Sequence, residues 1–96
     1  MTVSRPDTTL ERVLSGRSDA NIRFADLCQL LTHLGFTERI RGDHHIFTRE
    51  GVVEILNLQP NGSQAKPYQA RQVRNVTATY GLGGDDADGE EETTDE

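Results

Sequence analysis

The sequence predicts an α+β fold, a small three-stranded antiparallel sheet with helices on one face, and two observations carry that reading. Apolar residues recur at three-and-four spacing over 24–34 and again over 70–80, each stretch closed by a glycine. Between them, residues 36–58 hold three short runs rich in β-branched and aromatic side chains, separated by turn signals. Strands joined by short turns pair as antiparallel neighbours, and amphipathic helices then bury their apolar stripes against one face of the sheet.

A first short helix is expected from Thr8 to Ser15. Thr8 and Glu11 form a capping-box pair, Leu10, Val13 and Leu14 cluster on one side, and Gly16 terminates it. A polar connector, Arg17 to Asn21, leads into the clearest helix, where Phe24, Leu27, Cys28, Leu31 and Leu34 share a face and Gly35 supplies the left-handed stop. Phe36 then packs back on that stop. Phe36 to Arg41, His44 to Thr48 and Val52 to Leu58 are the strand candidates, with turns at Gly42-Asp43 and Arg49-Glu50-Gly51. Pro60-Asn61-Gly62-Ser63 is a strong turn signal that ends the sheet. Pro67 suits the first turn of a last helix carried by Ala70, Val73, Val76 and Tyr80 and stopped by Gly81. Arg71 and Arg74, three apart on that helix, are placed to present one basic face.

With 96 residues and 33% hydrophobic composition, the chain has room for one small core. Its net charge of −6 conceals a division. Residues 83–96 carry eight acidic side chains and no basic one, which leaves residues 1–82 with ten basic against eight acidic, a balance of +2. That tail cannot bury enough apolar surface to offset its ordering entropy and reads as disordered, either a solubilising end or a competitor for a basic surface. Nine of the ten cations are Arg and one, Lys66, is Lys, a bias toward bidentate phosphate or carboxylate contacts. The single cysteine, Cys28, on the apolar side of a helix, reads as core and excludes a disulfide framework. No apolar run resembles a signal peptide or spans a bilayer, so a cytoplasmic protein without membrane contact is expected.

Gly42-Asp43-His44-His45-Ile46-Phe47 is the segment that bears on chemistry. Arg39, Arg41 and Arg49 flank a titratable imidazole, and histidine has an ordinary pKa of about 6.5, suited to proton transfer near neutrality. Guanidinium forks hold phosphate oxygens. Adjacent strand residues face opposite ways, so His44 and His45 cannot clamp one metal, and His45 is expected to pack or hydrogen-bond. No acidic or Cys ligand set stands at zinc-site spacing near the histidines, His33 included; no metal and no cofactor are expected. Asp43 serves either as a turn residue or as a partner that orients the neighbouring imidazole.

A helix ending in Gly35-Phe36, then Arg41-Gly42-Asp43-His44-His45-Ile46-Phe47, then a Val/Ile strand, then a Lys-Pro-led helix closing at Tyr80-Gly81-Leu82, resembles the HicA family of toxins over about residues 22–82. The resemblance implies a double-stranded-RNA-binding-domain-like order, helix, three strands, helix, to which this chain adds the short N-terminal helix. It implies a ribosome-independent endoribonuclease acting on mRNA, a cytoplasmic partner of a HicB-type antitoxin protein. The family's Gly-Ser-His falls on Gly42-Asp43-His44, which makes His44 the catalytic candidate. Asp43 stands where Ser is usual, and Leu56-Asn57-Leu58-Gln59-Pro60 runs where many members have a second His. Residues 1–21 and 83–96 fall outside the resemblance, which divides the chain into an N-terminal extension, a domain over 22–82 and an acidic tail.

Base catalysis of RNA cleavage needs a group to take the ribose 2′-hydroxyl proton while cations stabilise charge on the phosphate. His44 is the base in this reading. Arg39, Arg41, Arg49, Lys66, Arg71 and Arg74 are the RNA-binding candidates. Two other classes stay open: an RNA-binding module of the same fold without cleavage, and a protein-binding domain whose Arg face meets an acidic partner.

Overall fold

The computed structural model describes residues 5–83, and over them the chain forms α1 (Arg5–Ser15), a single 3-10 turn (Asp19–Asn21), α2 (Phe24–His33), β1 (Thr37–Arg41), β2 (His44–Thr48), β3 (Leu56–Leu58) and α3 (Pro67–Tyr80). The expected α+β class holds: one antiparallel sheet in the order β1-β2-β3, with three helices. The predicted disordered tail, apart from Gly83, lies outside the described residues.

The hairpin between β1 and β2 turns on two residues, and Gly42 there has φ +61°, the left-handed backbone that a two-residue hairpin turn demands at its first position. That turn fixes the register. Arg41 pairs with His44, Ile40 with His45, Arg39 with Ile46 and Glu38 with Phe47; across the next ladder His45 pairs with Leu58, Ile46 with Asn57 and Phe47 with Leu56. Paired residues share a face and neighbours along a strand alternate. One face therefore carries Glu38, Ile40, His45, Phe47, Leu56 and Leu58. The other carries Arg39, Arg41, His44, Ile46, Thr48 and Asn57.

The first of these faces is the inner one. Phe47, Leu56 and Leu58 are wholly buried in a core shared with Leu27, Leu30 and Leu31 of α2, Val13 of α1, and Ala70, Val73 and Val76 of α3. α1 is thus a structural part of the domain, although the sequence set residues 1–21 apart as an extension. Its helical residues already include Arg5, three residues ahead of the expected start at Thr8. β3 is shorter than the expected Val52 to Leu58. Val53 and Ile55 point into solvent, and the loop instead follows α3, where the Tyr80 hydroxyl accepts from the Val53 N–H at 3.2 Å and donates to Glu54 Oε1 at 2.8 Å.

Arg74 locks α1 to α3. Its guanidinium donates to the Val13 carbonyl at 3.0 Å and pairs with both oxygens of Asp19 at 2.9 and 3.3 Å, with only 23% and 15% of the two side chains exposed. Gly16, at φ +72°, makes room for it: a Cβ there would lie 3.2 Å from Arg74 Nη1. On the same helix Thr77 is buried, and its hydroxyl has no hydrogen-bond partner among the described residues.

Two stability outcomes follow in denaturant melts. Arg74→Ala strands the Val13 carbonyl and the Asp19 carboxylate and is expected to cost about 2 kcal/mol. Thr77→Val removes an unsatisfied polar atom at nearly constant volume and should stabilise by about 1 kcal/mol.

Candidate functional site

The outer face of the sheet assembles the site. Alternation in β2 turns His44 out to solvent, with about half of its side chain exposed, and the register sets Arg41 directly opposite and Arg39 one diagonal step away. Asn57 of β3 lies on the same face, and its Oδ1 is 3.1 Å from His44 Nδ1. With that oxygen as acceptor, Nδ1 holds the ring proton and Nε2 presents its lone pair outward, the tautomer a general base requires. Ile46 and Thr48 complete a face on which a base can lie flat against apolar and hydroxyl groups.

Asp43 is tied into the turn. Gln59 Nε2 donates to its Oδ2 at 2.7 Å, while its Oδ1 stands 3.9 Å from His44 Nε2. The Gln59 hydrogen bond is the largest influence on its carboxyl; desolvation opposes it, and a backbone N–H with the nearby charges of His44 and Lys66 leaves the carboxyl below the usual range. The ionised carboxylate sets a negative charge beside the imidazole, and that charge repels an incoming phosphate. Gln59 in turn accepts, through its carbonyl, from Gln69 Nε2 at 3.1 Å, and the Gln69 Oε1 accepts from the Lys66 N–H at 3.2 Å. This chain of bonds brings the start of α3, with Lys66, to the His44 end of the sheet. A helix N-terminus there adds partial positive charge.

The remaining basic candidates separate in space. Arg49 lies five residues beyond His44, about 16 Å along an extended strand. Its side chain packs over Gly35, where a Cβ would meet Nε at 3.2 Å, and it lines a cleft of about 680 Å³ with His33, Tyr80 and Leu82. That cleft is at the far end of β2 from the imidazole. Arg71 is exposed on α3, and Arg74 is spent on Asp19 and the Val13 carbonyl, so the two do not form the basic face their spacing suggests. Arg39, Arg41 and Lys66 are the cations the fold brings toward His44. Asn57 and Gln59 are the residues that sequence reasoning passed over, although alternation in a paired third strand would have set Asn57 on the His44 face.

His45 faces inward. Its Nδ1 lies 2.6 Å from Glu38 Oε2, and its ring meets Phe24 edge-on, with centroids 4.9 Å apart. Cys28 sits beside them, half-buried rather than fully within the core, and burial together with the Glu38 charge pushes its thiol up to about 12 from an ordinary 9.0.

No protein-family model matches the chain, and neither the curated proteins nor the solved structures yield a match. Among the described residues no helix is long and apolar enough to cross a membrane.

The Cys28 environment makes a direct prediction. In metal-free folded protein near neutral pH, alkylation of Cys28 should run about 10²–10³-fold slower than in the unfolded chain, because the thiolate is the nucleophile. Between pH 9.0 and about 12 the unfolded chain loses this proton while the folded state keeps it. Raising pH through that window therefore weakens the fold, a component that Cys28→Ser removes in pH-dependent melts.

Proposed function

We propose that this chain is a HicA-like toxin, a metal-independent endoribonuclease of mRNA in the cytoplasm that uses His44 as general base and is neutralised by a HicB-type antitoxin protein. One observation supports it above the others: an exposed imidazole, its Nδ1 anchored on Asn57 at 3.1 Å, stands directly across a strand pair from Arg41.

In this reading His44 Nε2 takes the proton from a ribose 2′-hydroxyl. The freed oxygen attacks the adjacent phosphorus, the bond to the 5′ oxygen breaks, and that oxygen takes a proton from solvent. The products carry a 2′,3′-cyclic phosphate and a 5′-hydroxyl. Arg41 and Arg39 hold the phosphate oxygens and stabilise the charge that builds on them, with Lys66 approaching from the α3 end. Asn57 positions the imidazole and fixes its tautomer.

A second reading, an RNA-binding module without cleavage, draws support from Asp43, whose carboxylate 3.9 Å from His44 Nε2 faces any phosphate brought there. Incubating purified protein with RNA and resolving the products separates the two. Under the nuclease reading His44→Ala, folded by circular dichroism, loses about 10²–10⁴-fold in rate, the usual worth of a general base. Asn57→Ala loses less, and Asp43→Ser does not abolish cleavage. Undiminished cleavage in His44→Ala rejects the assignment, and binding without cleavage in the parent chain favours the module.

A further inference from the structure

We propose that Cys28, Glu38 and His45 form a binding site for a zinc-class divalent cation that staples α2 to the β1–β2 hairpin on the inner face of the sheet. One thiol sulfur, one carboxylate oxygen and one imidazole nitrogen, each from a different element, lie within 4.8 Å of one another. Thiolate, imidazole and carboxylate are the donors zinc takes, at about 2.0–2.3 Å each, which places ligand atoms about 3.5 Å apart around a shared tetrahedral ion. Glu38 Oε2 and His45 Nδ1 are already closer than that, at 2.6 Å, and an ion takes the place of their hydrogen bond. The remaining closure is about an ångström, within the reach of side-chain rotation.

The surroundings hold this arrangement together. Glu38 and His45 are diagonal neighbours on the inner face, since Glu38 pairs with Phe47 and Ile40 with His45. Phe24, one helical turn before Cys28, packs edge-on against the His45 ring and fixes its plane. A packed neighbour that orients a ligand ring is what tight metal sites require of their surroundings. One thiolate and one carboxylate balance a divalent charge, so the filled site is neutral in a half-buried setting. The sulfur selects a borderline-soft ion such as zinc over magnesium or calcium. With 22% of His45 and 30% of Glu38 exposed, a water completes the fourth position. Because His44 points to the other side of β2, the ion acts on the fold and not on bound RNA.

The test uses the full chain after chelator treatment, titrated with Co²⁺ and then Zn²⁺. Cys28 is the chain's one cysteine, so a thiolate-to-cobalt charge-transfer band reports this residue and is blind to ions held by acidic side chains elsewhere. One equivalent of Co²⁺ should raise the band, and Zn²⁺ should displace it and raise the melting temperature. Cys28→Ser should lose the band and the thermal shift, and His45→Ala should weaken binding by at least about 10-fold. X-ray absorption of the zinc-loaded parent chain, which needs no variant to fold, should find one sulfur and nitrogen or oxygen donors around each ion. Absence of the band, its persistence at full affinity in His45→Ala, or a zinc shell with no sulfur or two sulfurs would overturn the site.

Discussion

Successive side chains of a strand must point to opposite faces, and on β2 that constraint separates two adjacent histidines into different chemistries. His44 faces solvent beside Asn57 and Arg41, while His45 faces the helices beside Glu38, Phe24 and Cys28. A one-residue slip of register would exchange them and turn Phe47 out of the core. The two-residue turn at Gly42-Asp43 and the burial of Phe47 between Glu38 and Leu56 together prevent that slip. The position of the candidate base is therefore set by the same contacts that set the fold.

Around this sheet the polar ties are few and placed at joints. Gln59 and Gln69 link the hairpin turn to the start of α3, the Asp19–Arg74 pair links the 3-10 turn to its middle, and Tyr80 links the β2–β3 loop to its end. α3 thus acts as a spine for segments distant in sequence. The segment around Ile22 joins it as well: Ala65 donates to the Ile22 carbonyl at 2.8 Å and Phe24 to the Ser63 carbonyl at 3.0 Å. The Pro60–Ser63 turn is held in this way against the start of α2, which keeps Lys66 at the His44 end.

Local chemistry was readable in the chain wherever one element determined it. The glycine stops, the Pro67 start and the short hairpin all lie where the residues indicate, and α2 and β2 agree with their patterns to within a residue. β3 was overread because Val52, Val53 and Ile55 have strand-forming side chains but no partner strand to pair with, and propensity without pairing does not make a strand. The site was less legible. Arg49 and Arg74 are near the right residues in sequence and away from them in space, since an extended strand carries Arg49 off and the partly buried Asp19 carboxylate claims Arg74. Cys28, Glu38 and His45 follow no ligand spacing, because three separate elements supply them; only the packing of α2 over the hairpin brings them together.

The central claim is that the outer face around His44 is where RNA lies. Titrating the isotope-labelled chain with a 2′-O-methylated RNA, which binds without being cleaved, and following the nuclear magnetic resonance signals tests it most directly. The account predicts shifts concentrated at Arg39, Arg41, His44, Ile46 and Asn57, with Arg74 and the Cys28–Glu38–His45 cluster unmoved. Shifts centred on the exposed side of α3 or on the cleft beside Arg49, with the His44 ring unchanged, would contradict it.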